Sequence, residues 1–234
     1  MKTVLITGGS KGIGLGIAKV LLKEGMKVAI TGRNIDTANS AVNTLKSEGF
    51  ENVIAIQSDV RSLKDEEQAV QEVVKQFGSL DVMIANAGIG NFAPIDEMTA
   101  EQWNDVIDIN LTGVFNSTKA AIPALKKSEG YLITIASLAG ANFFPKGTAY
   151  NASKFGLVGF TQAAMLDLRP YNIKVTTIMP GSVSTFFNNN MPDEKDAWKI
   201  QPEDIGKLVS DLLSMHPRTL PSKIEVRPSR PDLK

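Results

Sequence analysis

Tyr150 and Lys154 stand four residues apart in the run Tyr150-Asn151-Ala152-Ser153-Lys154. Residues 149–168 read as a long helix, so that spacing puts both side chains on one helical face. A free tyrosine has a pKa of about 10 and is a poor proton donor or acceptor near neutrality. A nearby ammonium favours the phenolate and lowers that value. Bringing it close to 7 takes roughly 4 kcal/mol of differential stabilisation. A Tyr/Lys pair at this spacing is also common on exposed helices, and Ser137, which lies 13 residues before Tyr150, is what gives it weight. Ser137 follows a strand-like run, and its hydroxyl can donate to a carbonyl oxygen as negative charge develops there. Asn110, in Asp108-Ile109-Asn110-Leu111, lies inside a long helical stretch over 100–126. Asparagine suits a helix interior poorly and marks a local distortion. Its side chain is expected to hold a water near Lys154 and so complete a proton route.

A second constellation lies near the start of the chain. Thr7-Gly8-Gly9-Ser10-Lys11-Gly12-Ile13-Gly14 joins a first strand to a first helix. Glycines allow a tight turn and bring backbone N–H groups close to a ligand, and the helix N-terminus favours a pyrophosphate. The spacing is G-x-x-x-G-x-G, and an ordinary glycine-rich turn would look the same if it stood alone. The end of the second strand reads Thr31-Gly32-Arg33-Asn34, with no acid before Asp36. An acid there would favour a free ribose 2′-hydroxyl. Arg33 and Lys11 can instead hold a 2′-phosphate through charge-assisted hydrogen bonds. NADP is therefore expected over NAD. Asp59-Val60 follows the third strand and either meets the adenine edge or caps the next helix. Asn86-Ala87-Gly88 follows the fourth, where small residues let the chain pass close to a bound dinucleotide.

These residues need a frame that gathers strand ends on one edge. Strand-like runs at 2–7, 27–31, 52–57, 81–85, 131–136, 173–179 and 223–226 alternate with helical patterns at 12–24, 36–48, 63–77, 100–126, 149–168 and 203–214. Within these, Ile13, Ile17, Val20 and Leu21 share one face, and Val70, Val73, Val74 and Phe77 are expected to point inward. Pro123 is expected to bend or break the fourth helix. Repeated β-α alternation implies a single α/β domain over residues 1–234. Its sheet would be parallel and doubly wound, of Rossmann type, with helices on both faces and the ligand at the carboxyl edge. The least regular stretch lies past the sixth strand, and residues 185–201 are expected to form a substrate lid.

Composition removes several alternatives. The chain of 234 residues has no cysteine and one histidine, His216. Disulfides, thiolate metal sites and cysteine nucleophiles are excluded, and no metal site is expected. His216 precedes Pro217, where a role at a helix end is expected. Lys plus Arg number 25 and Asp plus Glu 25, so a chain-wide basic field for nucleic acid or an anionic membrane is absent. No apolar run reaches transmembrane length, and the N-terminus reads as a strand rather than a signal peptide, so a cytoplasmic location is expected.

The ordered set Thr7–Gly14, Asn86–Gly88, Asn110, Ser137, Tyr150, Lys154 and Pro180–Thr185 resembles the short-chain dehydrogenase/reductase family over nearly the whole chain. The resemblance implies a catalytic tetrad of Asn110, Ser137, Tyr150 and Lys154. It implies that Gly8, Ser10, Lys11, Gly12, Ile13, Gly14, Arg33, Asp59, Val60, Asn86, Ala87 and Gly88 bind the cofactor. Pro180, Gly181, Val183 and Thr185 would cradle the nicotinamide, the Val183 backbone and Thr185 side chain holding its carboxamide. Tyr150 and Lys154 would also touch the cofactor, Lys154 through the ribose hydroxyls. The implied activity is NADP-dependent hydride transfer between nicotinamide and a ketone, an aldehyde or the corresponding alcohol. A 3-oxoacyl-thioester reductase and a non-catalytic dinucleotide-binding regulator are the alternatives. Two departures from the family pattern stand out. Ala85 replaces the first Asn of a common Asn-Asn-Ala-Gly run. The end of the chain, Pro221 to Pro231, lacks the glycine-rich strand of typical acyl-carrier-protein reductases, which weakens that assignment. Phe143, Phe144, Phe186 and Phe187 are expected to line an apolar substrate entrance. The family further suggests a homotetramer or homodimer, with Ala163, Ala164, Met165 and Leu168 as interface candidates.

Overall fold

In the computed structural model, residues 1–230 are described. Seven strands form one sheet: β1 (Thr3–Thr7), β2 (Lys27–Gly32), β3 (Val53–Gln57), β4 (Val82–Ala85), β5 (Tyr131–Ile135), β6 (Lys174–Pro180) and β7 (Lys223–Val226). Their order is β3-β2-β1-β4-β5-β6-β7, and every neighbouring pair is parallel. From β1 the chain winds outward through β2 to β3, then crosses back to β4 on the other side. The crevice between the ends of β1 and β4 is the switch point at which such sheets bind ligands.

The strands are legible because a sheet covered on both faces is apolar on both faces. Every residue of β1, β4 and β5 is buried. Successive side chains feed opposite sides. Val4 and Ile6 pack with Ile17 and Leu21 of α1 (Gly12–Lys23), Val42 and Leu45 of α2 (Ile35–Ser47), and helix α7 (Pro202–Ser214), which contributes Ile205 and Val209. Leu5 lies in the opposite layer with Val70 and Val73 of α3 (Leu63–Phe77). Also in that layer are Leu125 of α5 (Gly113–Ser128) and Met165 and Leu168 of α6 (Thr148–Leu168). Met165 and Leu168 are thus core residues, not interface residues. Val74 falls at the solvent margin of α3 and is 36% exposed, so only part of that expected face is inward.

The stretch expected to be one helix over 100–126 is three pieces. Helix α4 (Ala100–Ile107) leads into a π-helical turn, Asp108–Thr112, and then α5. The interruption falls at Asn110, as its residue type suggested. Pro123 does not break α5: it sits inside the helix on the exposed side, where water can satisfy the carbonyl that a proline leaves unbonded.

Helix α7 is held tightly to α1. A Cβ on Gly16 would come within 2.5 Å of Pro202, and one on Gly206 within 2.8 Å of the Gly16 carbonyl oxygen. This contact fixes the C-terminal base of the irregular segment after β6. The other base is fixed by a parallel bridge from Val183 to Ile200, with the Ser184 N–H donating to Ile200 O at 2.9 Å and the Ile200 N–H to Ser182 O at 3.1 Å.

Helix α3 buries a carboxyl. Glu66 is 1% exposed, and its two oxygens accept from the hydroxyls of Ser58, just past β3, and Ser117, on α5. Burial pushes its pKa above the usual carboxylate range, the two serine hydroxyls oppose this, and Asp65 and Asp59 reinforce it. Folding therefore raises the proton affinity of this group. Its contribution is fully present below the ordinary carboxylate pKa and is lost as pH rises through the raised folded value. Glu66→Gln should remove this slope. Thermal denaturation from pH 4 to 8 should show the variant gaining on the parent as pH rises, and parallel curves would contradict this.

Candidate active site

The turn between β1 and α1 has the backbone its glycines permit. Gly8 and Gly12 adopt φ of 63° and 56°, in the left-handed region that side chains disfavour. A Cβ on Gly14 would lie 2.6 Å from Asn86 Nδ2. No side chain caps the start of α1, whose N-cap residue is Lys11. The free N–H groups of its first turn therefore form a ready anion site. A groove of about 1340 Å³ runs from this turn along the carboxyl edge of the sheet. Gly8, Ser10, Lys11, Gly12 and Ile13 line its middle, Arg33, Asp59 and Val60 one end, and Ser137, Tyr150 and Lys154 the other. Pro180, Gly181, Val183 and Thr185 form a wall beside that second end. A Cβ on Gly12 would meet Thr185 Cγ2 at 3.4 Å, so the loop after β6 faces the glycine turn directly. The cradle, the anion site and the groove together fit an extended dinucleotide.

At the β2–β3 end, Asn34 Oδ1 accepts from the N–H groups of Asp36 and Thr37 and so caps α2. Asp36 is thereby placed inside the helix, and the end of β2 carries no acid. Lys11 and Arg33 both line the groove and are exposed, and neither is in an ion pair among the described residues. Asp59 does not cap α3, because the Ser62 hydroxyl does. Its carboxylate is instead gripped by Arg61, with Nε at 3.0 and 3.1 Å and Nη2 at 2.6 Å, which holds its pKa below the usual range. Arg61 also reaches toward Asp105 of α4, at 3.8 Å. Arg61 lines the groove but carries no motif of its own in the sequence.

Asn86 is spent on architecture. Its Nδ2 donates to Thr7 O at 2.8 Å and Gly8 O at 3.2 Å, and Thr7 Oγ1 accepts from the N–H groups of Asn86 and Ala87. These bonds tie β4 to the glycine turn across the switch point. Asn110 is similarly engaged. Its Oδ1 accepts from Ile89 N at 2.8 Å, and its Nδ2 donates to Ile89 O at 2.9 Å and Ser153 Oγ at 3.1 Å. The expected water-holding side chain is thus a clamp on the loop after β4. A Cβ on Gly88 would sit 3.3 Å from Asn110 Oδ1 and 3.7 Å from Lys154 Nζ, so Asn110 and Lys154 converge on this glycine.

Lys154 is buried, and its Nζ donates to Ile135 O, at the end of β5, at 3.0 Å. Loss of hydration lowers its pKa to about 8. Ser137 follows β5, and its Oγ accepts from Ala139 N at 3.1 Å, leaving its own proton free to donate. Tyr150 does not show the expected depression. Burial pushes its phenol above its ordinary value, and the neighbouring Ser137 hydroxyl opposes that. The reason is geometric: Lys154 Nζ lies 5.7 Å from the Tyr150 ring centre and spends its bond on a carbonyl rather than on the phenol. Asn151, to which the sequence assigns no role, organises the approach to Tyr150. Its Nδ2 donates to the Ala139 and Asn142 carbonyls, each at 2.8 Å, pinning the segment after Ser137 onto α6.

The phenylalanines divide. Phe186 and Phe187 line the groove, and the Phe187 ring lies 5.6 Å from that of Tyr150. Phe143 is 87% exposed and lies outside the groove lining, so the structure removes it from the entrance. Phe144 is also outside the lining; its ring packs on Phe92 at 5.7 Å. Phe92, in the loop after β4, also lies outside the lining; it packs on Tyr150 at 5.5 Å and was not legible from spacing.

Two variants probe this arrangement. Lys154→Met removes a poorly solvated ammonium, whose penalty is greatest below about pH 8 and fades as pH rises toward 10.5. The variant should melt higher than the parent at pH 7, with the gap closing toward pH 10. Asn110→Leu strands both backbone groups of Ile89, at a cost of about 1–3 kcal/mol each. Urea denaturation should show that loss, and an unchanged midpoint would mean that the loop is held otherwise.

Comparison with known proteins agrees with this geometry. The family described as short chain dehydrogenase matches residues 2–196. A 3-oxoacyl-[acyl-carrier-protein] reductase of Staphylococcus epidermidis is 37% identical over 195 residues, covering 82% of this chain and 80% of that protein. The crystal structure of an alcohol dehydrogenase from the archaeon Thermococcus sibiricus, complexed with 5-hydroxy-NADP, superposes with a TM-score of 0.92 at 28% identity and covers all of both chains. A 3-ketoacyl-(acyl-carrier-protein) reductase from Brucella melitensis, complexed with NADH, gives a TM-score of 0.88 at 26% identity over 98% of each chain. With its switch-point groove, its glycine cradle and its Ser137-Tyr150-Lys154 end, the chain belongs to the short-chain dehydrogenase/reductase family, oxidoreductases that use a nicotinamide dinucleotide and act on CH–OH groups.

Proposed function

We propose that this oxidoreductase is an NADP(H)-dependent reductase of ketones or aldehydes that runs in reverse as an alcohol dehydrogenase. The observation that carries this reading is the convergence of Ser137, Tyr150 and Lys154 at one end of a groove that carries Lys11 in its glycine turn and Arg33 at its far end, both outside any ion pair among the described residues, with no acid at the end of β2. The bound nicotinamide supplies or accepts the hydride. The first turn of α1 would hold the pyrophosphate, Arg33 and Lys11 a 2′-phosphate, and the Val183–Thr185 segment the carboxamide. In reduction, Tyr150 gives a proton to the carbonyl oxygen. Ser137 donates a hydrogen bond to the same oxygen as its charge grows. Lys154 favours the phenolate left on Tyr150 and would orient the ribose hydroxyls. Asn110 positions rather than reacts, by holding Ile89 and Ser153. The segment 185–201, fixed at its bases, serves as the lid.

The sequence similarity to an acyl-carrier-protein reductase favours a second reading, reduction of a 3-oxoacyl thioester. A self-associating enzyme is also proposed. Trp103, Phe115, Phe155 and Leu166 on α4, α5 and α6 are all exposed, an apolar face that suits a symmetric homodimer or homotetramer. The balanced charge of the chain supports a small-molecule substrate over a nucleic acid.

Initial rates with NADPH and NADH against ketones, aldehydes and a 3-oxoacyl thioester test the reading. NADPH should be preferred, and Arg33→Ala should raise its KM by about tenfold while leaving that of NADH unchanged, a loss typical of one charge-assisted contact. Tyr150→Phe should lower kcat by roughly 10²–10⁴, the usual worth of a positioned acid. A preference for NADH would overturn the role given to Arg33 and Lys11. Tight NADPH binding with no turnover of any carbonyl would point to the regulator instead.

A further inference from the structure

The loop after β4 and the segment after Thr185 belong to different parts of the fold, yet each places one phenyl ring against Tyr150. Phe92 meets the Tyr150 ring at 5.5 Å and 73°, and Phe187 meets it at 5.6 Å and 54°. The two phenylalanine rings lie 6.4 Å apart at 64°. These separations and tilts are those of edge-to-face aromatic packing. Gly90 makes the closure possible: a Cβ there would fall 2.7 Å from Phe187 Cζ and 2.9 Å from Phe92 Cζ. The loop carrying Phe92 is braced, since the Ala93 N–H donates to Lys146 O at 3.1 Å and Phe144 backs the Phe92 ring at 5.7 Å. Phe187 is braced by its own N–H, which donates to Thr185 Oγ1 at 3.3 Å.

A carbonyl oxygen that takes a proton from Tyr150 must come within hydrogen-bond reach of the phenol. The substituents on its carbon then lie beside these rings. The charges that line the groove lie elsewhere or are already engaged. Arg33, Asp59, Arg61 and Asp105 are at the β2–β3 end, Lys11 is in the glycine turn, and Lys154 Nζ donates to Ile135 O. Lys199 is paired with Asp196 at 2.5 Å. A carboxylate or phosphate set against these rings would lose its water and gain no partner.

We infer that Phe187, which lines the groove, and Phe92, which packs behind it on Tyr150, act as an aromatic clamp that selects carbonyl substrates with a flat, uncharged ring next to the C=O group, aryl ketones and aryl aldehydes, over small aliphatic or carboxylate-bearing ones. This rests on the carbonyl-reductase reading above and names the substrate class of the same site. Phe187 is the specificity residue here, Phe92 positions its ring, and Gly90 sets the spacing between them.

The experiment compares kcat/KM for acetophenone, butan-2-one and pyruvate with NADPH, in the wild type and in Phe92→Ala, Phe92→Leu and Phe187→Ala. The NADPH dissociation constant is measured by fluorescence in each. Wild type should favour acetophenone over both other substrates. Phe92→Ala and Phe187→Ala should each lower the acetophenone to butan-2-one ratio by about tenfold, chiefly through KM, as loss of a fitted apolar contact does. Phe92→Leu should fall between, since it keeps the bulk without the ring. NADPH affinity should stay within about twofold in all three, which separates a lost clamp from a damaged fold. Equal losses on both ketones, or a wild-type preference for butan-2-one or pyruvate, would overturn the clamp and leave the carbonyl-reductase reading standing. Failure of the wild type on all three substrates and on the wider carbonyl panel would overturn both.

Discussion

Lys154 carries an ammonium into the interior beside the end of β5, where it donates to Ile135 O. An ammonium has three protons to donate and is costly to bury. Much of the surrounding architecture makes room for it. A side chain on Gly140 would come within 2.7 Å of the Lys154 carbonyl oxygen, so only glycine lets the turn after Ser137 lie flat on α6. Gly88 leaves space beside the Nζ, and the π turn at Asn110 widens the helical ladder so that an amide can reach both Ile89 and Ser153. A residue that is costly to bury is retained because the chemistry needs a cation there, a common compromise between stability and activity.

The same economy runs through the switch point. Asn86 and Thr7 satisfy each other's backbone groups across the gap between β4 and β1. The gap can therefore open into a groove without stranding buried polar atoms. On the far wall, Asn116 Nδ2 donates to Val60 O at 2.9 Å, and Glu66 joins Ser58 to Ser117. The segment after β3 is thus held by side chains from helices behind it, and the surface facing the groove stays free for a ligand.

Much of this was legible in the sequence. The buried strands declare themselves because a doubly covered sheet has no polar face to alternate with. The glycine turn and the Tyr150/Lys154 spacing are legible because they follow from local geometry. What was not legible depends on contacts between distant segments. Phe92 has no periodicity and lies just past a motif that ended the reading at Gly88. Arg61 and Asn151 look like ordinary polar residues until the fold sets Asp105 near one and the Ala139 and Asn142 carbonyls beside the other. Helix spacing brings Lys154 near Tyr150 without saying that its Nζ will bond the Ile135 carbonyl.

The paired bonds between Ser182–Ser184 and Ile200 have a consequence for how such a protein can change. They close a loop at its neck, and helix α7 locks the neck to α1. Lengthening a closed loop is inexpensive, about 0.6 kcal/mol for each doubling. Insertions, deletions and substitutions beyond the neck can therefore accumulate with little strain on the sheet or on the machinery at β5 and α6. The neck makes the segment a replaceable part, on which descendants of one scaffold can diverge in what they accept while the reaction they perform stays the same.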